Sequence, residues 1–142
     1  VAVVDTPTHS QIKQAFVARL RASSSINGAL TGIHEGFAPE KAEYPFATYQ
    51  LVAAPYDYNW GDVTLIALID LFVFSRSQVV ADNLDQAITA WVSDKSFPVT
   101  GQRPLICRRE ATAPMPPDID AEGEKVYQIG GTYHIETDFR LE

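Results

Sequence analysis

The sequence predicts an α+β domain: an antiparallel or mixed sheet of about five strands with two helices packed on one face, in the order α-β-β-β-α-β-β. Three observations lead there. Residues 6–23 and 75–93 place apolar residues at helical spacing, residues 63–74 are apolar at almost every position, and residues 126–141 alternate with a period of two. With 142 residues and 46% hydrophobic composition, one domain spanning 1–142 and one core are expected.

The first helix is read from "TPTHSQIKQAFVARLRAS", where Ile12, Phe16 and Leu20 recur at i, i+4 and i+8 beside Ala15. Thr8 and Gln11 have the capping-box spacing, and the helix is expected to run for about four turns. "SSSINGALTG" reads as a Ser- and Gly-rich loop, Ile33 to Phe37 as a short strand, and "APEKAEY" as a turn. A second strand begins at Pro45 in "YPFATYQLV", since proline is tolerated at a strand's first residue, where no ladder donor is needed.

The third strand, Val63 to Phe74, carries Val63, Leu65, Ala67, Ile69, Leu71 and Val73 on one face. Ile66, Leu68, Phe72 and Phe74 surround Asp70 on the other. Such a strand needs cover on both sides. The second helix follows, with Val80, Leu84, Ala87, Ile88 and Trp91 as its apolar stripe and Ser75 or Ser77 as its cap. "RPLICRRE" and "VYQIGGTYHIETDFRL" supply the last two strands. The alternation of Tyr127, Ile129, Tyr133, Ile135, Phe139 and Leu141 survives Gly130 and Gly131, which predicts one long strand carrying a bulge. Two helices cover only one side of this sheet, so the second face is expected to meet another subunit.

Composition narrows the function. Acidic residues outnumber basic ones by 18 to 11, and a net charge of −7 argues against a nucleic-acid binder, whose affinity rests on Lys and Arg. A lone cysteine, Cys107, forms no internal disulfide; its alternation with Leu105 reads as a packed thiol in a protein of a reducing compartment. The longest apolar run is broken by Asp70 and too short to span a bilayer. "VAVVDTP" lacks the basic n-region of a signal peptide, so a soluble protein without membrane partners is expected.

Catalytic signatures do not emerge. There is no G-x-S-x-G elbow, and neither "INGALTG" nor "IGGTYH" has the context of a phosphate loop. His134, Glu136 and Asp138 alternate on one face of the last strand, a spacing that permits a shared metal and an enzyme built on it; polar residues at every second position are also what a half-exposed strand displays. No metal, cofactor or catalytic residue is assigned. His9, His34 and Glu35 read as surface residues. Asp70 is either a poised acid or, in the reading preferred here, an ion-pair partner of Arg108, Arg109 or a neighbouring subunit. Tyr56, Tyr58 and Trp60 in "PYDYNWGD" are expected to form the tip of a hairpin loop, where they stack a sugar or a base or anchor a protein partner.

Taken together, "IKQAFVARLRAS", "YPFATYQLV", "VTLIALIDLFVFSRS" with "QVVADNLDQAITAWV", and "YHIETDFRL" resemble the tail completion, or tail terminator, proteins of long-tailed bacteriophages, over about residues 8–141. The resemblance implies a non-enzymatic ring, usually a hexamer, that caps the head-proximal end of the tail tube, stops its growth and joins tail to neck. Its implied partners are further copies of itself, the tail tube protein and the neck or stopper protein, with DNA only as passing cargo; it would be assembled in the host cytoplasm and reside in the virion. An acidic ring suits that place, because DNA should not stick to the lumen wall. Another neck or tail-tube component with the same scaffold is the alternative. The long segment "ATAPMPPDIDAEGEK" departs from the family, where a shorter turn is expected. The candidate protein-contact residues are its Asp118, Asp120 and Glu122 together with Tyr56, Tyr58 and Trp60; none of them is carried over from the family.

Overall fold

The computed structural model describes residues 9–53, 56–59, 62–97, 105–113 and 115–140, and the structural statements that follow concern those. Helix α1 (His9–Ala22) is followed by α2 (Ser24–Ala29), β1 (Ile33–Glu35), β2 (Phe46–Ala53), β3 (Tyr56–Asn59), β4 (Asp62–Ser75), α3 (Gln78–Val92), β5 (Lys95–Phe97), β6 (Leu105–Thr112), β7 (Asp118–Ile119) and β8 (Lys125–Arg140). The class is the expected α+β, with more pieces than the sequence predicted. Strands run in the order β1-β2-β4-β8-β6-β5, with β3 extending the sheet beside β4 and β7 pairing only with the start of β8. The sheet is mixed, because β1 pairs parallel to β2 while the other pairings are antiparallel.

The third helix lies where the sequence reads as a loop. Ser23 caps α2 by accepting a hydrogen bond from the Ile26 amide at 3.4 Å, and Ile26 is buried. Six residues with a glycine leave no periodicity to find, but one cap and one buried side chain hold the turn in place. The additional strands are equally short. β5 follows a left-handed turn at Asp94, whose φ is 58°, and β7 is a two-residue ladder inside the proline-rich segment.

Every helix packs on one side of the sheet. Ile12, Phe16 and Leu20 of α1, Ile26 of α2, and Leu84, Ile88 and Val92 of α3 are buried against Leu65, Ala67, Ile69, Leu71 and Val73 of β4. Fully burying such side chains contributes about 1.5–3 kcal/mol each. The stripe of α3 differs from expectation: Ala81, Leu84, Ile88 and Val92 face the core, while Val80 and Ala87 are exposed. Trp91 is turned to the edge of the core, where Arg19 lies 3.7 Å from its ring centroid. The Trp91 Nε1 donates to the Arg19 carbonyl at 2.6 Å, and the Arg19 guanidinium donates to the Trp91 carbonyl at 2.9 Å. This reciprocal clamp joins α1 to α3. Ser77, one of the two expected caps, accepts from the Val80 amide; Thr8 lies outside the described residues.

β8 is the expected long strand, and its register on β4 is unbroken from Tyr127 to Arg140. The bulge lies instead on β6, between Arg109 and Ala111 opposite Tyr133 and Thr132. Gly131 makes that crowding possible, since a Cβ there would overlap the Ala111 carbonyl and the Arg109 guanidinium. Arg109 reaches under α3. It pairs with Asp85 at 3.0 Å and donates to Thr89 at 2.8 Å, to the Tyr133 hydroxyl at 2.9 Å and to the Ala111 carbonyl at 2.9 Å. Burial alone would lower the guanidinium pKa, but the bonds and charge of Asp85 outweigh it and hold the group above its ordinary value.

Candidate functional site

The antiparallel register turns the even-numbered residues of β4 away from all the packed helices. Ile66, Leu68, Asp70, Phe72 and Phe74 are half-buried there, in contrast to the fully buried odd row. Across the sheet the same face continues through Phe46, Thr48 and Gln50 of β2 and through Thr132, His134 and Glu136 of β8. Ile106 and Arg108 of β6 complete it, with Ile106 56% exposed. One end is grooved: Phe46 and Phe74 stack with centroids 5.0 Å apart, and with Phe72, Asp70 and Gln128 they line a hollow of about 380 Å³ rimmed by Phe37. Phe37 is 92% exposed.

The polar half of the face is organised around His134. Its Nδ1 lies 2.9 Å from Glu110 Oε1, and its Nε2 lies 2.7 Å from Glu136 Oε1. Glu110 is the extra residue of the β6 bulge, which re-aims its side chain across to β8. The sequence pairs His134 with Glu136 and Asp138, and the structure brings the first two together. Asp138 is a backbone partner of Thr64 in the ladder, and its side chain lies outside the described set. The two carboxylates flank opposite ring nitrogens and so do not converge on one ion. Among the described residues no group of three His, Cys, Asp or Glu is placed to hold a metal.

Other singled-out residues fall into different roles. Asp70 accepts a hydrogen bond from the Thr132 hydroxyl at 2.6 Å. The expected ion pairs with Arg108 or Arg109 are not formed, because Arg109 turns to the helix side to meet Asp85 and Arg108 pairs with Asp94 at 3.3 Å. Cys107 is fully buried, and desolvation pushes its thiol up to about 12, so it is packed and unreactive. Glu35 is exposed and bound to Lys13 at 2.8 Å; that hydrogen bond is the main reason its carboxyl sits below the usual value. His34 sets its ring edge-on to Phe46.

Tyr56 and Tyr58 belong to strand β3, paired with Leu65 and Val63, not to a loop tip. The backbone of residues 56–59 is absorbed by ladder pairing with β4. Trp60 lies outside the described residues. In the acidic segment, Arg76 binds Asp120 at 2.9 Å and Glu122 at 2.6 Å, and the guanidinium also sits 5.1 Å from the Tyr44 ring centroid. Desolvation opposes ionisation of Asp120, yet the amides of Glu124 and Glu122 together with Arg76 hold its pKa below the ordinary value. Asp118 accepts from the Ile119 amide at 2.8 Å. The segment is thus folded back onto the start of α3. A hollow of about 750 Å³ opens between it and residues 40–45.

The class defined by these features is an α+β domain with a mixed sheet and, among the described residues, helices on one face only. The same fold occurs in a chain of a solved structure titled "Virion of native gene transfer agent (GTA) particle", with a TM-score of 0.59 at 10% identity over 92% of this chain and 99% of that one. At that identity the likeness is one of fold. No protein-family model matches the chain, and no curated protein matches it significantly. Among the described residues no helix is long and apolar enough to cross a membrane.

Proposed function

We propose that this chain is a non-enzymatic structural protein of a phage-type virion, and within it the tail terminator: a homo-oligomeric ring, hexameric by resemblance, between tail tube and neck. The observation that carries the reading is the half-buried even face of β4, on which no helix packs among the described residues. A chain that sets Ile66, Leu68, Phe72 and Phe74 on a face without helices reserves that surface for another subunit. The fold shared with a virion chain over nearly its whole length supports a place in such a particle. Tail tube and neck proteins are the further partners, and DNA passes through the ring without specific contact.

Tyr56, Tyr58 and Trp60 on the β3-β4 hairpin, and Asp118, Asp120 and Glu122 on the folded-back segment, are proposed as contacts at the ends of the ring. Asp120 and Glu122 would make those contacts while bound to Arg76. Leu68→Asp tests the interface directly. The substituted residue sits on the half-buried even row, so the variant should melt within a few degrees of wild type yet fail to oligomerise in sedimentation velocity and fail to join tails. Normal assembly by a folded Leu68→Asp protein removes the sheet face from the account.

A further inference from the structure

The cluster Glu110–His134–Glu136 lies on the same face that the proposed ring covers, and this inference rests on that reading. His134 is opposite Leu68 in the ladder and Glu136 opposite Ile66, so the cluster adjoins the apolar row. Both ring nitrogens are within hydrogen-bond distance of a carboxylate oxygen. A neutral imidazole has one N–H; the other nitrogen then turns a lone pair toward a carboxylate. An imidazolium donates to both.

In the free subunit the mismatch is tolerable, because Glu110 and Glu136 are each 46% exposed at the side chain and His134 24%. Covered by a neighbour, the neutral cluster would bury two negative charges and an unsatisfied contact, whereas the protonated one buries a net single charge with every donor matched. Among the described residues, two other charged groups lie on this face, Arg108, the ladder partner of His134, and Asp70, and each has a partner of its own. From β6, Arg108 turns to Asp94; from β4, Asp70 is bound by Thr132, and Leu68 and Ile66 are apolar.

We infer that protonation of His134 between Glu110 and Glu136 is coupled to subunit assembly, making ring formation a pH-sensitive step. Assembly then takes up a proton at this cluster, so association tightens as pH falls. One proton taken up per interface sets the upper limit at roughly tenfold per pH unit.

The test measures subunit association by sedimentation velocity from pH 8 to pH 6 for wild type, His134→Gln, and Glu110→Gln with Glu136→Gln, after thermal melts verify that each is folded. Lowering pH also reduces general repulsion in this acidic chain, and the His134→Gln protein carries that contribution alone. Expected is a tightening about tenfold larger in wild type than in His134→Gln. The double glutamine variant should associate at pH 8 at least as tightly as wild type does at pH 6. Parallel pH responses in wild type and His134→Gln, in chains that do assemble, overturn the inference and leave the ring standing. A wild-type chain that stays monomeric at every pH overturns the ring reading and the inference with it.

Discussion

Arg109→Met removes the centre of the most connected polar network in the fold, and its cost can be worked from the geometry. The guanidinium is only 9% exposed and its partner Asp85 13%, so truncation leaves a nearly buried carboxylate without its counter-charge. Thr89 and Tyr133 retain each other at 3.2 Å, so the loss is concentrated on Asp85. Breaking one side of such a pair costs about 3–5 kcal/mol. The double variant Arg109→Met with Asp85→Leu, which exchanges the pair for apolar volume, should recover most of that loss. Urea unfolding followed by circular dichroism reads both, with Arg108→Ala as control. That arginine and Asp94 are each more than 70% exposed, and their pair is worth at most about 1 kcal/mol. A single Arg109→Met loss no larger than that of Arg108→Ala would refute the claim that this network is buried and tightly coupled.

Phe16→Asp sets a charge into the centre of the α1 contact, where Phe16 is fully buried 5.5 Å from the Tyr133 ring, and should abolish cooperative melting at 37 °C; a soluble, cooperatively melting variant would displace α1 from the core. Gly131→Ala has no room for its methyl beneath Ala111 and Arg109 and should destabilise by at least about 1–3 kcal/mol in the same urea assay, with β6 losing amide protection first. Cys107 should resist a disulfide-exchange reagent at pH 8 in the native protein and react at once in denaturant, because its thiol titrates near 12; rapid native labelling would show that the β6 edge opens.

The elements legible in the sequence are those whose signal is long. β4 announces itself by apolar residues on both faces, α1 by Ile12, Phe16 and Leu20, and β8 by an alternation that crosses two glycines. The same features predict a helical layer on one side, which is where the described helices pack. What stayed hidden is set by contacts distant in the chain. The α2 turn depends on one cap and one buried isoleucine. The buried stripe of α3 runs through Ala81, Leu84, Ile88 and Val92, while Trp91 meets Arg19 of another helix. Glu110 joins His134 only through a bulge, a register event with no residue-type signature, so the spacing in the sequence points along β8 toward Asp138 instead of across to β6. Asp70 offered a choice between acid and ion pair, and the partner it has within the chain is a threonine on the neighbouring strand, not Arg108 or Arg109.

The most direct test of the central claim is native mass spectrometry of the purified chain combined with carbene footprinting of the β4 even face. The account predicts a closed oligomer at six times the subunit mass, with Ile66, Leu68, Phe72 and Phe74 protected in the oligomer, and with Ile66, Phe72 and Phe74 labelled in the Leu68→Asp monomer. A wild-type monomer at all concentrations, with those four side chains freely labelled, would contradict it.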